Sequence, residues 1–261
     1  MPGFPSPFTP SQYNINLLAI GRGFMAPAQR PVVIAGYNPD IDNVLEDIWT
    51  PGGTYVFPSA PIQMEVVSSN AADTAAGIGI RQVAVSYLDN NHVEQTETVT
   101  LAGLVPVPTV AVNILRINYF AAETAGTNQA AVGNIVIRPV GGGATYAQID
   151  TGATRAFQAI YTVPANKIAC MLDWTISIGN PSGGRQGQFV YRSTWDFVHQ
   201  HNHNFLLEIV RMSVQDNAFR MESPTSVTFG PKADIKISAV SDAATASALC
   251  TTFSSGWLEP A

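Results

Sequence analysis

Apolar and polar residues alternate with a period of two along most of the chain beyond residue 55, as expected for half-buried β-strands. The clearest case is the run 80–88, which is followed by the turn residues Asp-Asn-Asn and by a second alternating run, 92–101. Together they predict a β-hairpin with one wet face and one partly buried face. Further strand-like runs lie at 109–120, 133–140, 155–163, 167–178, 188–198, 205–214, 226–229, 233–240 and 248–258.

Turn residues separate these runs and helical periodicity is poor, so the sequence predicts an all-β protein of antiparallel β-sandwich or jelly-roll type. About eleven or twelve strands fit either two sandwich units or one enlarged jelly roll. The glycines at 141–143 are the best internal boundary. We therefore expect β-sandwich units at 56–140 and 144–261, preceded by an extended arm at 1–55.

The predicted arm combines eight prolines with a high apolar content. The proline spacing forbids long helices and interrupts strand ladders, whereas a disordered tail would be more polar. We expect the arm to pack on its own body or on a neighbouring copy, and so to form part of an oligomer interface. The candidate contact residues are its large apolar side chains: Phe4, Phe8, Leu17, Leu18, Ile20 and Phe24.

One short helix is predicted within this arm, over 38–49. Ile41, Val44, Leu45 and Ile48 recur there at helical spacing after an aspartate that can cap a helix. The same segment is acidic, but it lacks the glycine and the distal glutamate of a calcium-binding loop. A helix cap with surface acids is therefore the favoured interpretation of its carboxylates, which are Asp40, Asp42, Glu46 and Asp47.

Composition points to a chain with little solvated surface. Charged residues make up 12% of the sequence, against about 25% in an average soluble protein, while 46% of residues are hydrophobic. A large core would account for these values, but we favour a subunit whose outside is mostly interface. The net charge of −6 and only three lysines leave no basic patch, so nucleic acid is not expected as a direct partner.

No membrane partner is expected either. No apolar run approaches the roughly 20 residues of a membrane-spanning helix, and the first residues lack the basic and apolar regions of a signal peptide. The sequence therefore favours synthesis in a cytoplasm. Cys170 and Cys250 do not make a disulfide scaffold, and the sequence leaves open whether they pair.

Three of the four histidines occupy alternate positions in the stretch VHQHNHNFL, at His199, His201 and His203. In a strand, neighbouring histidines of this set would lie about 6.6 Å apart, and two of them could bind one zinc ion. The outer two would lie about 13 Å apart, so all three could bind one ion only if the strand broke. The intervening polar residues are more typical of a solvated loop or a subunit contact, which we favour over an intersubunit or catalytic metal site. A further ligand would come from a neighbouring chain or from Asp196, Glu208 or His92.

The other motifs do not indicate an enzyme or a cofactor. The chain has no Gly-x-Ser-x-Gly elbow and no phosphate-binding Gly-x-x-x-x-Gly-Lys, and the glycines of GIGIR at 77–81 open a strand rather than a helix. Widely spaced aromatic residues in strands are usually core, although they can also line a sugar-binding groove. The aromatic residues in question are Tyr161, Trp174, Tyr191, Trp195 and Trp257.

Five segments in order resemble the recurring skeleton of virion structural proteins of tailed bacteriophages, particularly small phages of aquatic bacteria. They are DIWTPGGTY (47–55), DTAAGIGIRQVAVSYLDNN (73–91), ETVTLAG (97–103), VGNIVIRP (132–139) and YTVPANKIACM (161–171). The resemblance covers residues 47–171. It implies a capsid-associated or tail-associated protein, and it brings no catalytic residues to transfer.

These observations predict a non-enzymatic bacteriophage virion structural protein, made in the cytoplasm of the bacterial host. It would decorate, cement or build the capsid as a trimer or a higher symmetric homo-oligomer, in contact with copies of itself and with other virion proteins. The alternative is a tail or fibre protein whose carbohydrate-binding sandwich recognises a glycan on the host surface. A third hypothesis, from a different class, is a metal-dependent enzyme that uses the histidine stretch.

Overall fold

The computed structural model describes residues 29–179, 186–196, 198–215, 218–242 and 248–261. These residues form β-strands joined by turns and loops and contain no helix, which confirms the predicted all-β, antiparallel sandwich class. Within them there is accordingly no helix long and apolar enough to cross a membrane. The predicted contact residues of the arm, from Phe4 to Phe24, lie outside the described residues, so that interface stays a prediction.

The chain forms sixteen strands in the described residues. They are β1 (Arg30–Ile41), β2 (Glu46–Asp47), β3 (Met64–Ser68), β4 (Ile80–Asp89), β5 (Glu94–Thr100), β6 (Val107–Pro108), β7 (Ile114–Ala125), β8 (Ile135–Pro139), β9 (Ala147–Ile149), β10 (Ile160–Thr162), β11 (Lys167–Gly179), β12 (Gln186–Asp196), β13 (His201–Gln215), β14 (Ala218–Phe229), β15 (Asp234–Ser241) and β16 (Ala248–Pro260).

Two of the four sheets form a jelly roll. One sheet has the strand order β1-β16-β11-β14, and the other has the order β10-β15-β12-β13, with β2 added to β15. All of these pairs are antiparallel. The eight main strands form two four-stranded sheets, and the chain alternates between the sheets except at the β12–β13 hairpin, which is the jelly-roll arrangement. Both sheets contribute to one buried core, which includes Ile34, Trp174, Phe189, Tyr191 and Phe229.

The sequence pattern explains why β1 and β16 pair. In β1, Val32 and Ile34 are buried while Val33 between them is 44% exposed, and β16 alternates in the same way over its whole length. Gly36 lies where a Cβ atom would collide with the carbonyl of Ile48 and with Ala159, so the close approach of three segments requires a glycine there. The second half of the predicted arm is thus a strand of the jelly roll.

The other two sheets form a smaller sandwich, the inserted unit, which lies in the chain between β2 and β10. Its sheets have the orders β6-β3-β8-β9 and β5-β4-β7, and they enclose a second core that includes Met64, Val85, Phe120 and Ile135. The predicted hairpin is formed by β4 and β5. Its turn is closed by Asp89, whose carboxylate accepts the N–H of Val93 at 3.0 Å.

The strand pairing divides the chain at different residues from the predicted unit limits of 56–140 and 144–261. Gly141, Gly142 and Gly143 have φ values of 87°, 96° and 130°, which suits a tight turn rather than a linker. The strand that follows them, β9, pairs with β8 and so belongs to the inserted unit. The jelly roll in turn takes β1 and β2 from the predicted arm.

The prediction of a helix over 38–49 is wrong. Ile41 and Ile48 are fully buried but Val44 is 63% exposed, so the apolar residues do not share one helical face. The carboxylate of Asp42 accepts the N–H of Val44 at 2.8 Å, a local bond that competes with helical hydrogen bonding. Burial of both isoleucines in the jelly-roll core outweighs a weak helical propensity.

Asp47 anchors a buried cluster of polar groups between the two units. Its side chain is fully buried. Oδ1 accepts hydrogen bonds from Ser238 Oγ (2.6 Å) and Arg192 Nη2 (2.7 Å). Oδ2 accepts hydrogen bonds from the Tyr55 N–H (2.7 Å) and Lys236 Nζ (2.8 Å). Lys236 also donates to the Tyr55 carbonyl. Burial lowers the pKa of Lys236, while Asp47 acts in the opposite direction. Tyr55 belongs to the core of the inserted unit, so this carboxylate holds the two cores together.

A second, mostly buried ion pair crosses the same junction. Arg116 of β7 donates from Nε to Asp234 Oδ1 (3.0 Å) and from Nη2 to Asp234 Oδ2 (2.9 Å). Thr162 Oγ1 also donates to this carboxylate at 2.5 Å, and the guanidinium lies 4.6 Å from the ring centroid of Phe57. This two-point geometry fixes the angle between partners as well as their distance, so it orients the inserted unit on the jelly roll.

The two cysteines do not pair. Cys170 lies in β11 and Cys250 in β16, and both are buried free thiols. Burial raises the pKa of Cys170 to about 12. Both side chains therefore act as small apolar residues of the fold.

Candidate functional site

The histidine stretch forms a tight turn between β12 and β13. Asp196 ends β12, and its Oδ1 accepts the backbone N–H groups of Val198 (2.9 Å) and His199 (3.1 Å). Gln200 has a positive φ of 55° and donates its N–H to the Asp196 carbonyl at 2.7 Å. The turn reverses the chain so that Asp196 pairs with His201, the first residue of β13.

Four side chains lie close together at this turn. Asp196 Oδ2 lies 2.7 Å from His199 Nδ1 and 3.6 Å from His203 Nε2. The rings of His201 and His203 project from the same face of β13, with centroids 4.4 Å apart. One ligand atom from each of Asp196, His201 and His203 lies within 4.8 Å of the other two. We call these three residues the histidine–aspartate cluster.

The electrostatics of the turn favour a charged carboxylate. The His199 side chain and the two backbone N–H groups hold the pKa of Asp196 well below its usual range. The Asp196 side chain is 18% exposed, that of His203 is 26% exposed and that of His199 is 70% exposed. Asp196 and His203 are therefore partly buried, whereas His201 is exposed.

Neighbouring segments hold the base of the turn in place. Asn202 Nδ2 donates to the carbonyl of Pro231 at 2.9 Å, which ties β13 to the loop between β14 and β15. Trp195 packs so closely on Gly230 that any Cβ at that position would overlap the indole ring. The ring of Phe205 lies 5.1 Å from that of His203, on the open side of β13. The cluster is thus built on paired strands rather than on a free loop.

The structure brings together only part of the predicted ligand set. His201 and His203 join Asp196, and the strand breaks at Gln200, so the long separation expected for a continuous strand does not apply. The two other candidate ligands lie elsewhere. Glu208 pairs with Arg211 at 2.5 Å, and His92 lies in the turn between β4 and β5. The hairpin register that selects Asp196 could not be derived from histidine spacing alone.

The acidic segment 40–47 does not form a convergent site. The carboxylate of Asp47 is bonded entirely within the junction, and Glu46 accepts the N–H of Gly53 at 2.7 Å.

The aromatic residues considered for a sugar-binding groove are mostly core. Trp174 packs edge-on against Tyr191 at 5.6 Å between ring centroids, and Tyr161 is 7% exposed.

One apolar surface feature was not found by sequence reasoning. A cavity of about 570 Å³ lies where the outer face of β1 and β16 meets the loop 150–157 of the inserted unit. Ala35, one of its lining residues, forms an isolated β-bridge with Gln158. Phe157 and Phe253 on its walls are 37% and 43% exposed. We call this feature the apolar groove; its apolar lining is Ala35, Ala153, Phe157 and Phe253.

Comparisons with known proteins give little to transfer. No protein-family model matches the chain, and no curated protein matches it. Among solved structures, that of the infectious bursal disease virus Gt strain aligns with 88% of this chain and 71% of its own, at 9% identity and a TM-score of 0.21. The structure of the Gx strain of the same virus aligns with 89% of this chain and 81% of its own, at 9% identity and a TM-score of 0.21. That of a mutant VP2 protein of this virus in derived T=1 particles aligns with 88% of this chain and 68% of its own, at 9% identity and a TM-score of 0.20. TM-scores this low do not indicate a shared fold, so nothing is inferred from these structures.

Proposed function

We propose that the chain is a non-enzymatic structural protein of a bacteriophage virion, a building block or decoration subunit of the capsid that works through contacts with copies of itself. The main support is the strand order of the jelly roll, an architecture used by viral capsid domains. The same architecture also serves lectins and cupins, so the fold alone does not select the function. The surface of this chain provides the further support.

The apolar groove is the surface that we assign to a contact between copies. It is lined by two partly exposed phenylalanine rings, Phe157 and Phe253, and by Ala35 of β1. Apolar side chains grouped in this way favour a protein contact over solvent. The low charge of the chain agrees, since a surface with few ions resists association less.

The segment before β1 supports the same assignment. Residues 1–28 precede the strand whose Ala35 and Tyr37 line the groove, and the sequence predicts an apolar arm there. We propose that the arm contacts a second copy and adds to the area buried between subunits. Deletion to test the arm should stop at residue 28, because residues 30–41 form β1 and their loss would open the jelly roll.

The alternative of a glycan-binding tail protein has less support. Sugar-binding sites use exposed aromatic faces, whereas Trp174, Tyr161 and Tyr191 are at most 7% exposed. Their burial in the jelly-roll core leaves them no face to offer a sugar ring. We therefore retain the capsid assignment.

Light scattering coupled to size exclusion tests the proposal on the full chain. We expect an assembly whose mass is a multiple of 27.8 kDa. The substitution Phe253→Asp should shift the population to the single-chain mass, because a charge on the wall of the groove would be desolvated in the contact without a partner. Val44→Asp is the matched control, since Val44 is 63% exposed in a loop that does not line the groove.

Deletion of residues 1–28 is the second variant, and it should weaken assembly while the circular dichroism spectrum stays that of a β-protein. A monomeric unaltered chain at micromolar concentration would overturn the proposal. An assembly that survives both Phe253→Asp and the deletion would show that copies meet through another surface, and the groove assignment would be wrong.

A further inference from the structure

We propose that the histidine–aspartate cluster is a binding site for a divalent transition metal of the Zn²⁺ class, held by Asp196, His201 and His203. The three residues come from the two strands of one hairpin, so the site is complete within a single chain. It lies at the tip of the β12–β13 hairpin, and its residues do not line the apolar groove. The proposal therefore stands independently of the assembly proposed above.

The distances in the cluster fit this assignment. Zinc lies about 2.0–2.2 Å from imidazole nitrogen and carboxylate oxygen, so two ligand atoms in tetrahedral geometry are about 3.4 Å apart. Asp196 Oδ2 and His203 Nε2 are separated by 3.6 Å. The third ligand atom, from His201, lies within 4.8 Å of both.

An unpartnered nitrogen points into the cluster. His203 Nε2 is buried and has no hydrogen-bond partner among the described residues, although Asp196 lies nearby. Buried polar atoms are rarely left without a partner in folded proteins, and such an atom calls for an explanation. A metal ion between Nε2 and Asp196 Oδ2 would give this nitrogen a partner. Oδ2 already lies 2.7 Å from His199 Nδ1, but a carboxylate oxygen has a second lone pair to offer an ion.

The surroundings pre-orient the other two ligands. His201 Nδ1 lies 3.4 Å from the carbonyl oxygen of His199, and the tautomer that donates this bond leaves the lone pair of Nε2 available. Histidines that bind metals commonly donate their second nitrogen in this way. The two backbone N–H groups on Asp196 Oδ1 hold the carboxylate with Oδ2 turned toward the histidines.

The donor set selects the class of ion. Two imidazoles and one carboxylate suit zinc and its neighbours, whereas magnesium and calcium need more oxygen ligands. The thiols of Cys170 and Cys250 are buried in β11 and β16 and are not donors here. Because the His199 side of the turn is open, water can take the fourth position of a tetrahedral zinc ion.

Isothermal titration of the full, metal-free chain with ZnCl₂ is the direct test. We expect one equivalent of Zn²⁺ per chain and no heat of binding with MgCl₂ at the same concentrations. Co²⁺ gives an independent readout on the unaltered chain. It should produce visible d–d absorption without the near-ultraviolet band of a cobalt–sulfur bond.

Single substitutions locate the site. His201→Ala and His203→Ala should each weaken Zn²⁺ binding by at least about tenfold, the size of effect known even for residues that only support a ligand. His92→Asn is the matched control, because His92 is the one histidine outside the stretch 199–203 and lies in the turn between β4 and β5. Asparagine tolerates the positive φ of 60° found there. Its affinity for Zn²⁺ should equal that of the unaltered chain.

Three results would overturn the proposal: no Zn²⁺ uptake by the unaltered chain, unchanged affinity in folded His203→Ala, or equal loss in His92→Asn. Repeating the titration with Phe253→Asp separates the two proposals. Binding retained by the monomeric variant would support a site within one chain. Binding lost together with assembly would contradict it.

Discussion

Asp47 and Asp196 are two carboxylates of the same jelly roll with opposite surroundings. Asp47 is fully buried and accepts four hydrogen bonds, from Ser238, Arg192, Tyr55 and Lys236, which lie in different parts of the chain. Asp196 accepts its bonds from within its own turn, and one of its oxygens also faces an unpartnered histidine nitrogen.

The difference shows how to separate a structural carboxylate from a candidate ligand. When fixed donors from distant segments fill every acceptor position, removing the carboxylate leaves buried cations uncompensated and the fold suffers. When local donors only orient the group and leave a lone pair available, the fold depends on it little and an added ion can bind. The burial of a carboxylate and the sequence distance to its hydrogen-bond partners therefore distinguish a structural role from a ligand role better than the number of its hydrogen bonds does.

Substitution of Asp47 should have the largest effect on stability. Asp47→Ala would leave Lys236 and Arg192 facing each other without an anion, so we expect a loss of about 3–5 kcal/mol in the free energy of unfolding. Urea denaturation followed by tryptophan fluorescence measures it. Asp196→Ala removes only exposed hydrogen bonds within its own turn, so we expect a much smaller loss in the free energy of unfolding. Equal destabilisation by both variants would contradict the distinction between the two carboxylates.

Arg116→Lys should have an intermediate effect. Lysine keeps the charge beside Asp234 but cannot reproduce the two parallel bonds of the guanidinium, so we expect a loss of about 1.5–3 kcal/mol in the free energy of unfolding. The same denaturation experiment measures it. Arg30→Lys is a suitable control because its pair with Glu94 is exposed. An equal loss of unfolding free energy in Arg30→Lys would show that the mostly buried position of the Arg116–Asp234 pair does not determine the effect.

Substitution of Glu65 should have the smallest effect on the free energy of unfolding, and that effect should depend on pH. The N–H of Gly141 and the guanidinium of Arg138, at 3.0 and 2.9 Å, lower the pKa of this carboxyl from its usual 4.5. A lowered pKa in the folded state stabilises the protein above the unfolded-state pKa, and this contribution is lost as the pH falls through the folded-state pKa.

The variant Glu65→Gln should therefore lose about 1 kcal/mol in the free energy of unfolding at pH 7. Below pH 4.5 the difference from the unaltered chain should shrink. Denaturation midpoints measured from pH 7 down to pH 3 check this. A difference that grows toward low pH would have the wrong sign and would contradict the assignment of the pKa shift.

The fold class could be predicted from the sequence because two-residue alternation is a local signal. It is unambiguous in β16, where buried and outward residues alternate from Ala248 to Leu258, and in the hairpin of β4 and β5. The place of β1 could not be predicted, because nothing local to residues 30–41 indicates a partner some 210 residues later. Prolines at 31 and 39 suggested an arm, yet they lie near the ends of the strand.

The candidate site was only half predictable for a similar reason. Histidines at alternate positions place His201 and His203 on one face of any strand. The choice of Asp196 over Glu208 or His92 depends on where the hairpin turns, and that depends on the positive φ of Gln200. The junction of Asp47 with Lys236 was missed altogether, because the two are 189 residues apart and only the tertiary fold reveals them as partners.

The insertion of a whole unit between β2 and β10 also dictates an order of events during synthesis. The inserted unit is closed by contacts among residues 49–160, so it can fold as soon as that stretch has left the ribosome. The middle strand β16 has to enter between β1 and β11, so the jelly roll stays open until residues 248–260 emerge. At about 5–20 residues per second, β1 waits roughly 10–40 s for its partner. During that interval a nascent chain exposes the strand edges through which misassembly with other copies begins, and this period is where chaperones would matter most.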